Sequence, residues 1–333
     1  MAPHPQRLTV TRRAWALTRP LTTARGVITT VDVVVAEISD GDSRGRGEAV
    51  PLHRFGESID SVAAAIEAMR GAVVSGLDRE TLQRAMPPGA ARNALDCAFW
   101  DIDAKRAYCN VADLSGLGAM TPVVTAITLD LDTPETMAER AAAFRAHPLL
   151  KLELGGEGDI ARVRAVRQAV PASRLIVDAN ERWSEAQLRD FMPELLDCRV
   201  ELIEQPLPAG ADEGLARMAH LIPFCADESC RTAADLDRLS GTYAVVNIKL
   251  DKAGGLTEAL ALVPEAKRRG FRIMVGGVIG TSLGIAPALL VAQQAEIVDL
   301  DGPLHLVTDR VPGLRYNFST IYPPDGSFWG QPT

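Results

Sequence analysis

Cysteine is scarce: five in 333 residues, at Cys97, Cys109, Cys198, Cys225 and Cys230. The number is odd, no pair has CxxC spacing, and most sit among apolar neighbours. A disulfide framework is therefore excluded, and reduced core cysteines of a cytoplasmic protein are expected. Positive charge is in deficit, with 35 Lys and Arg against 43 Asp and Glu and a formal net charge of −8. That balance argues against nucleic acid as a partner. No stretch approaches the roughly 18 to 20 apolar residues of a membrane helix, so no membrane partner is expected either. The opening MAPHPQRLTVTRRAWALTRP has no apolar run of the kind a secretory leader carries. What is present, 47% hydrophobic and 23% charged residues, is the composition of an ordinary globular enzyme.

From about residue 123 the chain acquires a rhythm. Apolar runs recur as VVTAITLD, LLKLELG, RLIVDAN, VELIEQP, PFCADES, AVVNIKLDK, RIMVGGV and EIVDLDG, separated by amphipathic patterns such as TPETMAERAAAFRAH and LTEALALVPEAKRRG. Continuous apolar strands alternating with helices imply parallel βα units buried on both faces. Eight of them predict an α/β fold, a (β/α)8-type TIM barrel over 123–310, with short or atypical helices after the fifth and eighth strands. Residues 1–122 read differently. RLTVTRRAWAL and TVDVVVAEISD predict antiparallel strands, followed by helices in DSVAAAIEAMRGAV and ARNALDCAFWDIDAKR, which makes an N-terminal α+β domain. The stretches TTARGVITT and DGDSRGRGEAVPLHRFGES read as mobile loops, and the tail over about 311–333 as a segment packing back on this domain.

Polar residues gather at the carboxyl ends of the predicted barrel strands: Asp178 and Asn180, Glu204, Asp227 and Glu228, Lys249 and Lys252, Asp299 and Asp301. That end is where such barrels carry their active sites. Any one acid there can be a helix N-cap, but five of eight strands ending in such polar residues point to a site. Asp178, Glu204 and Asp227 end three consecutive strands, so their carboxylates can meet at one point. Oxygen ligands with no nearby Cys or His suit Mg²⁺ rather than zinc. Such an ion stabilises the negative charge that develops when a proton leaves carbon next to a carboxylate. Lys249, one strand further on, is a candidate base, with its pKa expected to be lowered by the ion and by poor solvation.

In the order VDAN, EQP, ADES, NIK, together with TARG and VDLDGP, the chain resembles the enolase superfamily. Within the muconate-lactonizing branch it is most similar to the bacterial L-Ala-D/L-Glu dipeptide epimerases. The resemblance runs over nearly the whole chain. It implies one Mg²⁺ per subunit held by Asp178, Glu204 and Asp227, an acid/base at Lys249, and Glu228 and Asn180 behind them. It also implies an N-terminal capping domain whose loops close over a small dipeptide. Abstraction of the α-proton of the C-terminal residue through a metal-stabilised enolate follows from the same resemblance. Arg25 corresponds to a loop arginine that binds the substrate's distal carboxylate, and the Asp299/Asp301 pair to a clamp for its free ammonium. Thr128 and Lys151 complete the expected substrate-binding set. Two same-facing carboxylates at a barrel mouth do favour a cation. The absence of a His on the seventh strand, RIMVGGVIGTS, speaks against the acid-sugar dehydratase and mandelate racemase branches. Family barrels often assemble, which leaves a homo-oligomer open.

One departure stands out in LLKLELGG. The family pattern is Lys-x-Lys on the second strand, but here Lys151 is followed by Glu153. Inversion at carbon needs one group to remove the proton and another to return it from the other side. Three roles are open to Glu153. It serves as that second acid/base; or Lys249 works alone in a one-base elimination or cycloisomerisation; or Glu153 pairs with Lys151 and turnover is lost. Lys151 itself lies two residues, about 6.6 Å, deeper along the strand and is not expected to substitute. The related activities of N-acylamino-acid racemases, o-succinylbenzoate synthases and cycloisomerases remain alternatives.

Overall fold

A computed structural model describes residues 6–332. The chain opens with an antiparallel sheet of β1 (Arg7–Thr23), β2 (Gly26–Ser39) and β3 (Arg44–Ala49), in that order. TTARGVITT, expected as a mobile loop, is the tip of the β1–β2 hairpin. Thr23 pairs with Gly26, and only Ala24 and Arg25 form the turn. β3 also falls inside a segment expected as loop. Its glycines do not turn the chain; they let a helix approach it. A Cβ on Gly45 would stand 2.1 Å from the carbonyl oxygen of Ala98, and one on Gly47 2.1 Å from that of Ala94. Both carbonyls belong to the helix Ala90–Arg106, which lies across the sheet.

That helix is buried along most of its length because its other face meets the barrel. Its polar side chains are satisfied there rather than by water. Arg92 donates to the carbonyls of Ala253 (2.7 Å) and Gly254 (3.0 Å), and Asn93 to Asp251 (2.9 Å). Asp96 accepts from the amide (2.8 Å) and the hydroxyl (2.6 Å) of Thr257. Gly255, at φ +119, has no room for a side chain, since a Cβ would lie 2.5 Å from Asp96.

A two-residue strand β4 (Val123–Val124) leads into eight parallel strands: β5 (Ile127–Leu129), β6 (Leu149–Glu153), β7 (Arg174–Asp178), β8 (Val200–Glu204), β9 (Phe224–Ala226), β10 (Val245–Ile248), β11 (Arg272–Gly276) and β12 (Ile297–Asp299). They pair in sequence order, and the amide of Ala126 reaches the carbonyl of Val298 at 2.7 Å, drawing the last strand to the first. The expected (β/α)8-type barrel with a separate N-terminal domain is thus the fold. As expected, the connections after β9 and β12 are irregular, a four-residue helix behind a 3-10 turn and a 3-10 turn alone; that after β8 is also only a 3-10 turn.

The barrel has an apolar floor to which each strand or its entry adds one residue: Ala126, Leu149, Ile176, Leu202, Cys225, Val245, Met274 and Ile297. The tail first forms β13 (Tyr316–Asn317) and β14 (Thr320–Ile321) against β4. Its end then returns to the Ala90–Arg106 helix, where Trp329 donates to the carbonyl of Cys97 at 3.1 Å.

Asp96 couples this architecture to pH. Burial pushes its carboxyl up to about 6, against the opposing Thr257 bonds, from an ordinary 3.8. A carboxyl that holds its proton more tightly folded than unfolded stabilises the fold at low pH and loses that effect as pH rises through the folded value. Urea titrations at pH 4 and pH 7 are expected to show about 2 kcal/mol less decline for Asp96→Asn than for the parent. Parallel pH dependence in the two proteins would refute the assignment.

Candidate active site

Two residues beyond the floor, the inward-facing positions turn polar. Thr128, Lys151, Asp178, Glu204, Asp227, Asn247, Gly276 and Asp299 each follow a floor residue by two, and strand alternation turns both to the same side. One further step brings Glu153, Lys249 and Asp301. With Arg25 and Arg54 from the N-terminal domain, most of these line one cavity of about 440 Å³ at the mouth of the barrel.

Asp178, Glu204 and Asp227 end β7, β8 and just past β9, and one oxygen from each lies within 4.8 Å of the others. All three are buried. Burial pushes Asp178 and Glu204 up to about 7. Burial acts on Asp227 in the same sense, but Lys249 and Lys252 outweigh it and hold the carboxyl well below the usual range. Lys249 Nζ stands 2.7 Å from one oxygen of Asp227 and Lys252 Nζ 2.6 Å from the other. Lys252 also donates to the carbonyls of Cys230 (2.9 Å) and Asn247 (3.0 Å).

Among the protein's own groups, with no ion counted, the Lys249 pKa is raised. Burial lowers it, but the Asp227 carboxylate more than reverses that effect. The expected lowering concerns the ion-loaded site, where a divalent cation would oppose the Asp227 carboxylate. Lys151 lies deeper along the strand, as expected, but its charge does not. Its Cα is two residues deeper than Glu153, yet its Nζ lies 3.0 Å from Asp178, Glu204 and Asp299 alike. A lysine side chain is long enough to climb about two strand residues, so depth along the backbone did not set the height of the charge.

Glu153 is 3.7 Å from Lys151 Nζ and accepts a bond from Asn180 Nδ2 at 2.7 Å. Burial raises its pKa, with Lys151 and Asn180 opposing. Asp299 and Asp301 are brought together by Thr128, whose amide donates to Asp301 (2.7 Å) and whose hydroxyl donates to Asp299 (3.2 Å). Glu228 is paired with Arg25, not with Lys249. Three residues of the site were not anticipated. Asn247 donates to Glu204 at 2.5 Å, His305 lies 3.2 Å from Asp301, and Arg54 joins Arg25 at the rim. Only Asn247 had a signal, two residues before Lys249 on a strand whose inward face was already known. Gly276 is required beside them: a Cβ there would meet Asn247 at 2.7 Å and Lys249 Cε at 3.0 Å.

Comparison with known proteins places the chain. Residues 6–116 match the mandelate racemase / muconate lactonizing enzyme N-terminal domain, and residues 135–310 the enolase C-terminal domain-like family. The chain belongs to the enolase superfamily. It is 44% identical over 315 residues to the L-Ala-D/L-Glu epimerase of Escherichia coli K12, covering 94% of this chain and 98% of that protein. It is also 44% identical over 300 residues to an N-acetyl-D-glutamate racemase of a Pseudoalteromonas species, covering 90% of this chain and 95% of that one. Among solved structures, an enolase family member from Agrobacterium tumefaciens with homology to dipeptide epimerases, with bound sodium and L-Ala-L-Glu, is 49% identical at TM-score 0.96 (98% and 100% covered). A dipeptide epimerase from Enterococcus faecalis, complexed with Mg and L-Leu-L-Tyr, is 30% identical at TM-score 0.89 (98% of each chain).

The superfamily's divalent ion fits these residues. The donor set is all carboxylate, and two of its buried oxygens, Glu204 Oε2 and Asp227 Oδ1, accept no hydrogen bond. The ammonium groups beside them are close but not aimed along a bond, which leaves lone pairs free for a hard cation. Calorimetric titration with Mg²⁺ is expected to find one site per chain, weakened about 100-fold or more in Glu204→Gln. Equal affinity in the two proteins would place the ion elsewhere.

Proposed function

We propose that this protein is a Mg²⁺-dependent epimerase of dipeptides of the L-Ala-L-Glu type, transferring the α-proton of the C-terminal residue. One observation carries the reading. Glu153 on β6 and Lys249 just past β10 come from the second and sixth strands of eight, diametrically opposed around the mouth, with the three acids on the strands between. A substrate α-carbon held beside the acids therefore has a proton-transfer group on each face, the arrangement that inversion demands. When bound, the divalent ion supplies electrostatic stabilisation of the charge that develops as the proton leaves.

The residues divide the remaining work. Lys249 serves one face of the α-carbon and the Glu153 carboxyl the other, with Asn180 aiming it. Glu153 is available for this because Lys151 sits nearer to Asp178, Glu204 and Asp299 than to it. That spacing counts against an idle Lys151–Glu153 ion pair and favours Glu153 as the second acid/base. Asp299 and Asp301, squared by Thr128, offer carboxylate oxygens to the free ammonium of the substrate. Arg25 at the rim offers a guanidinium to a distal carboxylate. The relatives' activities, epimerases and a racemase acting on amino acid derivatives, support an isomerase.

In D₂O with Mg²⁺ and L-Ala-L-Glu, NMR is expected to show exchange of the glutamyl α-proton accompanied by inversion. Glu153→Gln should exchange only the epimer whose α-hydrogen faces Lys249, with exchange of the other falling about 100-fold or more. Undiminished exchange of both epimers removes Glu153 from the chemistry, and a gain in turnover on Glu153→Lys identifies it as an impairing residue.

The second reading, racemisation of an N-acylated amino acid, is favoured by the Pseudoalteromonas relative. The Asp301 carboxylate separates the two. Asp301→Asn is expected to lower kcat/KM for the dipeptide about 10- to 100-fold, because a charge-assisted bond to its ammonium is lost. An unchanged kcat/KM for the dipeptide, alongside turnover of N-acetylglutamate, would favour the racemase.

A further inference from the structure

Beyond the reacting groups, two consecutive residues just past β7, Asn180 (φ +52) and Glu181 (φ +67), adopt the left-handed conformation that side chains other than glycine rarely take. Such strain persists where the surroundings over-determine it, and it clusters at functional sites. Its effect here is directional. Asn180 turns inward to Glu153, and Glu181 turns outward to the N-terminal domain.

Glu181 is a hub between loops that come from three places. Its carboxylate accepts Arg54 Nε at 2.6 Å and Arg54 Nη2 at 2.8 Å, a two-pronged pair from the 3-10 turn His53–Phe55. It also accepts Arg25 Nη2 at 3.3 Å from the β1–β2 hairpin tip, and the Ala209 amide at 2.8 Å from the loop after β8. The Glu181 side chain is only 10% exposed, whereas Arg25 and Arg54 are 39% and 40% exposed. The barrel thus supplies a sheltered anion, and the N-terminal domain supplies the cations from two segments that line the cavity. Arg54 has no carboxylate partner besides Glu181 among the described residues.

We propose that Glu181 is a positioning residue, a latch that holds the Arg25 hairpin tip and the Arg54 turn down over the active-site mouth. It touches none of the reacting groups; it acts through the two arginines, and the identity of the ligand it encloses rests on the function proposed above. Ligand bound beneath the latched segments leaves slowly, so loss of the latch weakens affinity and leaves the proton-transfer step unaltered.

The test has one arm that needs no substrate. Trypsin cuts after arginine, so nicking at the Arg25–Gly26 and Arg54–Phe55 bonds, mapped by mass spectrometry, reports on both segments directly. Glu181→Gln is expected to accelerate the cut after Arg54 about tenfold and the cut after Arg25 by less, since Glu228 still pairs with Arg25, while the cut after Arg44, outside the latch, keeps its rate. Unchanged cutting at both bonds, or an equal rise at Arg44, overturns the proposal. Glu181→Asp, which keeps the charge, should fall between the parent and Glu181→Gln; nicking as fast as in Glu181→Gln would also count against the latch. In the second arm, Glu181→Gln is expected to raise KM for L-Ala-L-Glu, in the presence of Mg²⁺, about tenfold with kcat within about twofold. A fall in kcat at constant KM would assign Glu181 to the chemistry instead. If no dipeptide is turned over by any form, the proposed substrate fails while the cleavage arm still decides the latch.

Discussion

Four carboxylates, Asp178, Glu204, Asp227 and Asp299, are buried together at the mouth of one barrel, and the structure is organised around making that tolerable. Unpaired buried charge is among the costliest things a fold can contain. Here Lys151 stands among three of the acids, Lys249 and Lys252 flank the fourth, and Asn247 bonds Glu204. The compensation is incomplete, since burial still pushes Asp178 and Glu204 well above the usual carboxylate range. The residual negative potential is what makes the site a cation receptor. The same crowding explains Gly276, which must lack a side chain so that Lys249 can reach Asp227.

This layer is built by the simplest property of a strand. The eight floor residues are apolar, and the residues two positions later are mostly ionisable or polar. The floor excludes water from below and the N-terminal domain covers the mouth from above, so the charges lie between two low-dielectric boundaries. The helix Ala90–Arg106 holds the upper boundary in place through bonds that are themselves buried and polar. Catalytic groups and interdomain bonds therefore draw on one resource: polar side chains whose partners are fixed by neighbouring elements and not by solvent.

Much of this was legible from local pattern. Apolar runs at regular spacing marked the eight strands, and the acids at their ends marked the site, because alternation and burial act within a few residues of chain. What local pattern did not give shares a cause. Gly45 and Gly47 looked like loop residues, but their role is set by a helix some fifty positions away. Asp227, from a neighbouring strand, accepts the Lys249 ammonium and raises its pKa among the protein's own groups, a pairing that no local pattern announces. Lys151 starts deeper along its strand, and its side chain reaches the carboxylates of three other strands, which its position in the sequence does not show. Arg54, Glu181 and His305 carried no signal, since an arginine or glutamate in a polar loop looks the same whether it meets solvent or a partner.

By itself, then, the sequence determined which residues face the interior of the barrel and in what order around it, because strand periodicity and apolar burial are local. It also determined that a glutamate stands where the family pattern has a lysine. Only the tertiary structure decided which charges meet: that Glu228 is bound by Arg25, that Asn180 aims Glu153, and that Glu181 gathers two arginines from another domain. Charge pairing depends on distance in space, and distance between strands and domains is written in no single stretch of chain.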